Sequence, residues 1–573
     1  MKKNANSYDY PQRRRFVFGM LLVGVGALLW RMVDLNLNQR EFLQHQGDAR
    51  YLREITIPAD RGVITDRFGE PLAISTPVES VWVNPSELAT ARDRWSELAK
   101  LLKIPVKQLE QKLGARMEKE FVYLKRHITP ELAEQVMALA IPGVSMQHEY
   151  RRYYPLGEVT SHVVGFTNID DVGQEGVELM MEPQLRGVPG SKRVIKDRLG
   201  RIVENVESIH EPRPGEDLTL SLDRRIQYLA YRELLGAVQR HKAKGGSAVV
   251  LDVQSGEILA MVNQPAYNPN NRKALNAARL RNRAVTDVFE PGSTVKPFTA
   301  AAGLASGKFR PTTMLDTSPG SLRLVNFTIH DTTNHGKIDV STVIQKSSNV
   351  GASLIALALP PQQLWEQFVR VGFGYDTGSG FPGESAGLMN AYQDWGKAEQ
   401  ATVSYGYGLS VTALQLARAY ATLAADGVSR PVSFFKLAAD AIPEGSRVIA
   451  PEVAQAVRVM LERVVNTGGT GTRAAVAGYR VAGKTGTSRK VSGSGYNEDN
   501  YLAVFAGFAP ASRPRLAMVV MVDHPDDGDY YGGVVAAPVF SRVMEGALRL
   551  MDIPPDDLDA LKGMKVAYMQ GAQ

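Results

Sequence analysis

Ser247 to Val262 reads SAVVLDVQSGEILAMV. Two β-favouring runs flank Gln254-Ser255-Gly256, so the stretch is expected to fold as a hairpin. Outward from it, Asp223 to Gln239 carries helical periodicity on one side. Val411 to Ala425 and Pro451 to Val465 read as amphipathic helices on the other. Tyr479 to Gly483, Leu502 to Ala509 and Leu516 to Val522 read as strands, and Val534 to Met551 as a closing helix. Strands at both ends with helices between them predict an α+β fold, an antiparallel sheet clasped by helices, over residues 216–552.

Glu211-Pro212-Arg213-Pro214-Gly215 reads as a linker into this module. Before it, residues 36–210 form a second, irregular α+β region. Its Ile55 to Pro85 stretch is strand-like, and Leu98, Leu101, Leu102, Leu109 and Leu113 recur at helical spacing. Further upstream, Phe16 to Trp30 is an uncharged apolar run. Extended across residues 16–35, with Arg31 snorkelling, it is long enough to cross a bilayer. Arg13, Arg14 and Arg15 directly precede it. The positive-inside rule keeps residues 1–15 cytoplasmic and exports the rest. Leu28, Leu29, Trp30 and Arg31 offer no small-residue cleavage site, so an uncleaved single-pass anchor is expected. Gln39 to Glu54 could continue that helix, and residues 553–573 read as a loose tail.

The chain has 573 residues, more than one core accommodates. It has no cysteine, which excludes disulfides, thiol catalysis and cysteine metal sites. Its net charge of +6 comes from Lys and Arg spread along the chain, which is no nucleic-acid footprint.

Chemistry concentrates in a few places. Pro291-Gly292-Ser293-Thr294-Val295-Lys296 turns into an apolar helix. Residues three apart share a helical face, so Lys296 can act on the Ser293 hydroxyl. To serve as its base, Lys296 must be neutral, which burial or a nearby cation would bring about. Ser347-Ser348-Asn349 opens a second apolar helix, and Lys484-Thr485-Gly486-Thr487 follows a strand. Ser-x-x-Lys alone is common by chance. All three in this order, with Ser348 in place of Asp in the middle motif, match the active-site set of serine β-lactamases and penicillin-binding proteins. Gly478 to Thr485 also fits a phosphate-binding G-x-x-x-x-G-K-[ST] pattern. Strand-like residues fill its middle and polar loop follows it, so that reading fails. His330 and His335 have no third ligand and read as loop residues. No metal or cofactor is expected.

The chain resembles the class B penicillin-binding proteins, and most the septal peptidoglycan D,D-transpeptidases of Gram-negative bacteria. Besides the motifs above, Arg61 to Gly69, Tyr153-Tyr154-Pro155, His162 to Phe166 and Gly173 to Glu178 resemble motifs of that family's N-terminal module. The resemblance implies a non-catalytic pedestal of the family's dimerisation type over 36–210 and a transpeptidase domain over 216–552. It implies Ser293 as nucleophile, with Lys296, Ser347, Asn349 and Lys484 as its catalytic companions. The N–H groups of Ser293 and Thr487 would form the oxyanion hole. Thr485, Gly486 and Thr487 would hold substrate, whose backbone would lie along the strand ending at Lys484. Tyr405, Tyr407, Tyr501, Tyr530 and Tyr531 would shape the pocket, or else serve as core. Implied partners are peptidoglycan stem peptides, β-lactams as covalent inhibitors, a membrane-embedded glycosyltransferase and other division proteins. An elongation-type transpeptidase, a serine β-lactamase and a non-catalytic scaffold are the alternatives.

Overall fold

A computed structural model describes residues 11–41, 52–196, 202–271, 276–324, 327–492 and 495–558. Most of the expected outward continuation of the first helix lies outside these residues, as do the end of the C-terminal tail and the first ten residues of the expected cytoplasmic tail.

Pro11–Val33 is a single α-helix with no buried residue, continued by a short π-turn at Asp34–Asn38. Among the described residues it is the one helix long and apolar enough to cross a membrane. Arg31 pairs with Asp34 at 2.7 Å, so its charge is met one turn further along.

The chain divides into two compact units. The first comprises residues 1–59, 77–150 and 187–214. Leu52–Ile57, Gly190–Lys196 and Ile202–His210 form an antiparallel three-stranded sheet there. A separate core collects Val81, Val83, Leu98, Leu102, Leu109, Leu113, Val122 and Val136. The helical spacing of Leu98 to Leu113 resolves into two short α-helices, Trp95–Leu102 and Val106–Gly114. Lys103 ends the first of these in the left-handed conformation at φ 52°, and Pro105 then blocks continuation.

The second unit holds residues 60–76, 151–186 and 215–573. Compactness therefore does not follow the linear boundaries at 36–210 and 216–552. The Arg61 and Glu178 motifs fold with the second unit, through ion pairs that exclude water. Glu178 accepts from Arg61 Nε and Arg152 Nε, both at 2.7 Å, and all three side chains are buried. A buried charge keeps its partners, because separating them would strand it in a poorly polarisable interior.

The sheet of this unit has five strands: β1 (Gly245–Asp252), β2 (Ile258–Gln264), β3 (Ala482–Ser492), β4 (Gly495–Ala509) and β5 (Leu516–Asp523). Their order is β2-β1-β5-β4-β3, antiparallel throughout. The hairpin at Gln254-Ser255-Gly256 forms as expected, with Gly256 at φ 80°. Alternate residues face opposite cores. Val249, Leu251, Val519 and Met521 enter one cluster, and Ala248, Val250, Val520 and Val522 the other.

Helices cover both faces. α1 (Arg224–Arg240) and α6 (Ala537–Leu550) pack on one; α2 (Lys296–Ala305), α4 (Ala413–Ala424) and α5 (Pro451–Val465) contribute to the core on the other. α3 (Asn349–Leu357) sits against α2. Local signals set their starts. Asp223 caps α1, Ser348 caps α3, and Thr412 with Gln415 forms a capping box on α4.

The strand read at Tyr479 to Gly483 runs instead from Ala482 to Ser492, and β4 starts at Gly495. Polar residues read as loop thus belong to a hairpin. Their backbone groups are satisfied by each other, with Arg489 opposite Tyr501, so the stretch needs no apolar alternation.

Candidate active site

Ser293 sits on a 3₁₀ turn, Gly292–Val295, that runs into α2. Gly292 has φ 54°, and its N–H donates to Gly406 O at 3.1 Å. A Cβ at Gly406 would lie 2.1 Å from Gly292 O, so the two loops meet backbone to backbone. From below, buried Tyr420 on α4 donates its hydroxyl to Thr294 O at 2.8 Å. On the sheet side a Cβ at Gly486 would stand 2.8 Å from Thr294 Cγ2, so only glycine lets β3 pass this turn so closely.

Lys296, first residue of α2, is completely buried. Its amine donates to Ser347 O, to Asn349 Oδ1 at 2.7 Å and to Ser347 Oγ at 3.3 Å. Lys484, on β3, is equally buried and donates to Ser347 Oγ at 2.9 Å and to Thr485 O at 3.1 Å. Ser347 is held in the left-handed region at φ 62°. The three sequence motifs thus converge. Ser293 is partly exposed and its Oγ takes no hydrogen-bond partner among the described residues, so it does not bond the Lys296 amine directly in this state.

Electrostatics follow from burial. Lys296 is pushed well below the usual lysine range, first by desolvation and then by the Lys484 charge, with Asp331 opposing. Desolvation pushes Lys484 down to about 7. Near neutrality Lys484 is thus poised between its charged and neutral forms.

Lys484 lies near the start of β3, which continues past it, rather than at a strand's end. β3 is the outermost strand of the sheet order, so among the described residues one side of its backbone has no strand neighbour. The same geometry removes the phosphate-loop reading, since a strand and not a helix follows Gly483-Lys484-Thr485. Thr485 Oγ1 is 2.8 Å from Thr470 Oγ1, and Thr487 Oγ1 accepts from Gly532 N at 3.1 Å.

The tyrosines divide. Tyr501 stacks on Tyr530 at 4.1 Å and 16°, Tyr530 leans on Tyr531 at 4.5 Å, and the Arg489 guanidinium lies 5.9 Å over Tyr501. Tyr531, about half exposed, directly precedes the Gly532 that touches Thr487. Tyr405 is buried in a small apolar cluster with Ile329, Val350 and Ala401, which makes it as much core as pocket. Tyr407 packs on it at 5.7 Å.

Sequence reasoning missed Asp331, Thr470, Arg489 and Tyr420. Asp331 Oδ2 accepts from Ser348 Oγ at 2.6 Å, and Oδ1 accepts from Asn349 N and from Val350 N at 3.1 Å. Nothing local in His330-Asp331-Thr332 announces this, because its partners lie 17 to 19 residues on. His330 contributes only its carbonyl, which accepts from Asn349 Nδ2 at 3.0 Å.

Comparison with known proteins agrees with this geometry. Residues 246–545 match the penicillin binding protein transpeptidase domain, and residues 56–220 the penicillin-binding protein dimerisation domain. The chain is 45% identical over 545 residues to the peptidoglycan D,D-transpeptidase FtsI of Escherichia coli, covering 94% of this chain and 92% of that one. It is 43% identical over 551 residues to the probable peptidoglycan D,D-transpeptidase PbpC of Pseudomonas aeruginosa, covering 96% and 97%. The apo transpeptidase domain of Burkholderia pseudomallei penicillin-binding protein 3 superposes with a TM-score of 0.55 at 44% identity, covering 59% of this chain and 97% of that one. With both domains matched and relatives this similar along almost its whole length, the chain belongs to the class B penicillin-binding proteins.

Proposed function

We infer that the chain is a peptidoglycan D,D-transpeptidase of the division septum, working through an acyl-enzyme on Ser293. The observation that carries the residue assignment is the hydroxyl of Ser347 shared by two buried lysines, one of which, Lys296, opens the helix that the Ser293 turn runs into. In this reading neutral Lys296 takes the Ser293 proton as Oγ attacks the carbonyl carbon of the penultimate D-Ala of a stem peptide. The C–N bond then breaks. The departing D-Ala amine receives a proton through Lys296, Ser347 and Lys484. An amine of a neighbouring stem attacks the ester, returns its proton by the same path and frees Ser293.

The N–H groups of Ser293 and Thr487 are assigned to the oxyanion. Lys484, Thr485 and Thr487 are assigned to the terminal carboxylate, and Asn349 to the substrate amide once Lys296 releases it. The edge position of β3 supports strand-like binding of the stem backbone. Tyr407, Tyr501, Tyr530 and Tyr531 line the approach, with Tyr405 behind them. A β-lactam enters as a carboxylate-bearing acyl donor whose ester is retained.

The Pro11–Val33 helix is assigned as a single membrane anchor, with Arg13 to Arg15 on the cytoplasmic side and the folded units in the periplasm. A membrane-embedded glycosyltransferase and other division proteins are its proposed partners. The test is labelling of the membrane-extracted chain with a fluorescent penicillin. The native chain labels and Ser293→Ala, still folded, does not; label retained on Ser293→Ala removes the assignment. Depletion in cells that yields filaments supports the septal role, and rounded cells would assign it to elongation.

A further inference from the structure

We propose that Asp331 is a positioning residue of the acylation centre, whose carboxylate seats the Ser348-Asn349-Val350 turn and, through Asn349, fixes the amine of Lys296. The inference rests on the reading of Lys296 as the base for Ser293. Asp331 directly follows the strand Phe327–His330, which pairs with Ser321–Leu324, and its own N–H is tied to Gly320 O at 2.9 Å. From that strand pair it spans the first turn of α3. One oxygen takes the Ser348 hydroxyl at 2.6 Å; the other takes the N–H groups of Asn349 and Val350. A carboxylate is favoured there, because the first N–H groups of a helix lack partners and carry its positive end.

Two further links make this contact matter for chemistry. Asn349 is pinned on both sides, its Nδ2 to His330 O at 3.0 Å and its Oδ1 to Lys296 Nζ at 2.7 Å. Ser347, the residue before the seated turn, is left-handed at φ 62°, a conformation a non-glycine residue keeps only when its surroundings impose it. Asp331 therefore acts on both groups that hold Lys296. Two charges also reach Lys296: that of Lys484 favours the neutral amine, and that of Asp331 opposes it. Asp331 thus sets how far Lys484 can drive Lys296 toward neutrality, keeping it basic enough to accept the Ser293 proton.

The test is the second-order rate of penicillin acylation against pH, with the full-length native chain, Asp331→Asn and Asp331→Glu, and with folding followed by thermal unfolding. Acylation requires neutral Lys296, so the native rate rises with pH along an acid limb. Asp331→Asn removes the opposing charge. Its limb moves to lower pH, while its plateau falls about tenfold from the looser Ser348-Asn349 turn. Asp331→Glu keeps the charge, so its limb stays at the native pH and only its plateau falls. A folded Asp331→Asn whose limb does not move overturns the proposal, even with a lower plateau. Should Asp331→Asn not fold, Asp331→Glu decides: a limb displaced from the native position overturns the proposal, and an unmoved limb with a lowered plateau supports it. Label persisting on Ser293→Ala, or a native rate without an acid limb, would instead remove the underlying reading, and the proposal with it.

Discussion

Lys296 and Lys484, from a helix and a strand 188 residues apart in the chain, donate to one oxygen, the hydroxyl of Ser347, at 3.3 and 2.9 Å. Neither is exposed. Two ammonium groups cannot both stay charged at one hydroxyl in so dry a place, and the pair thereby makes one of them a base.

Lys296→Arg keeps a cation but cannot supply a neutral amine, so penicillin acylation should fall by about a thousandfold or more, in the range of a lost general base. Lys484→Arg keeps charge near the carboxylate site and should lose less. Second-order acylation rates of the two folded variants decide this. Faster acylation by Lys296→Arg would reverse the assigned roles.

With Lys484 at about 7, its charge is present below that pH and lost above it. A penicillin carboxylate favours the charged form. The non-covalent affinity that precedes acylation should therefore weaken as pH rises through neutrality, by at most about tenfold per pH unit. Saturation kinetics of acylation across pH would show it. Lys484→Arg should be flat over the same range, and a flat native profile would contradict the assignment.

Gly406→Ala should disturb the nucleophile without touching substrate. Gly406 has φ 92°, and its Cβ would overlap Gly292 O. Strain alone costs about 1–3 kcal/mol, and the displaced turn carries Ser293. Gly307→Ala is the control: φ 73°, but open space around the Cβ. Both should lower thermal stability, and only Gly406→Ala should also slow acylation strongly. Equal acylation by the two would remove the backbone contact from the account.

Arg61→Ala leaves Glu178 buried with, among the described residues, Arg152 alone as its ion-pair partner. A loss of about 3–5 kcal/mol is expected in denaturant unfolding. Replacing Arg61, Arg152 and Glu178 together by apolar residues of similar size should cost less than the single change, because no member of the triad is then left charged and buried alone. A single-variant loss under about 1 kcal/mol would mean that water reaches the cluster.

The starts of α1, α3 and α4 were legible because capping is local: Asp223, Ser348 and Thr412 each bond an N–H two or three residues on. The polar half of β3 was not, because a hairpin pairs its own backbone and needs no apolar face. Asp331 escaped for a different reason. An acid in a loop of Thr, Asn and His residues looks solvated until the fold brings the start of α3 against it.

By itself the sequence determined the order of elements, the apolar N-terminal helix, and the three motifs with Ser293 and Lys296 one helical turn apart. These rest on periodicity and on contacts within a turn. Tertiary structure alone decided that Lys484 reaches Ser347, that burial rather than charge chiefly depresses both lysines, that Asp331 seats α3, and that residues 60–76 and 151–186 fold with the sheet unit. Each depends on which distant segments exclude water from one another, and a dry environment is a property of the packed chain that no local run of residues carries.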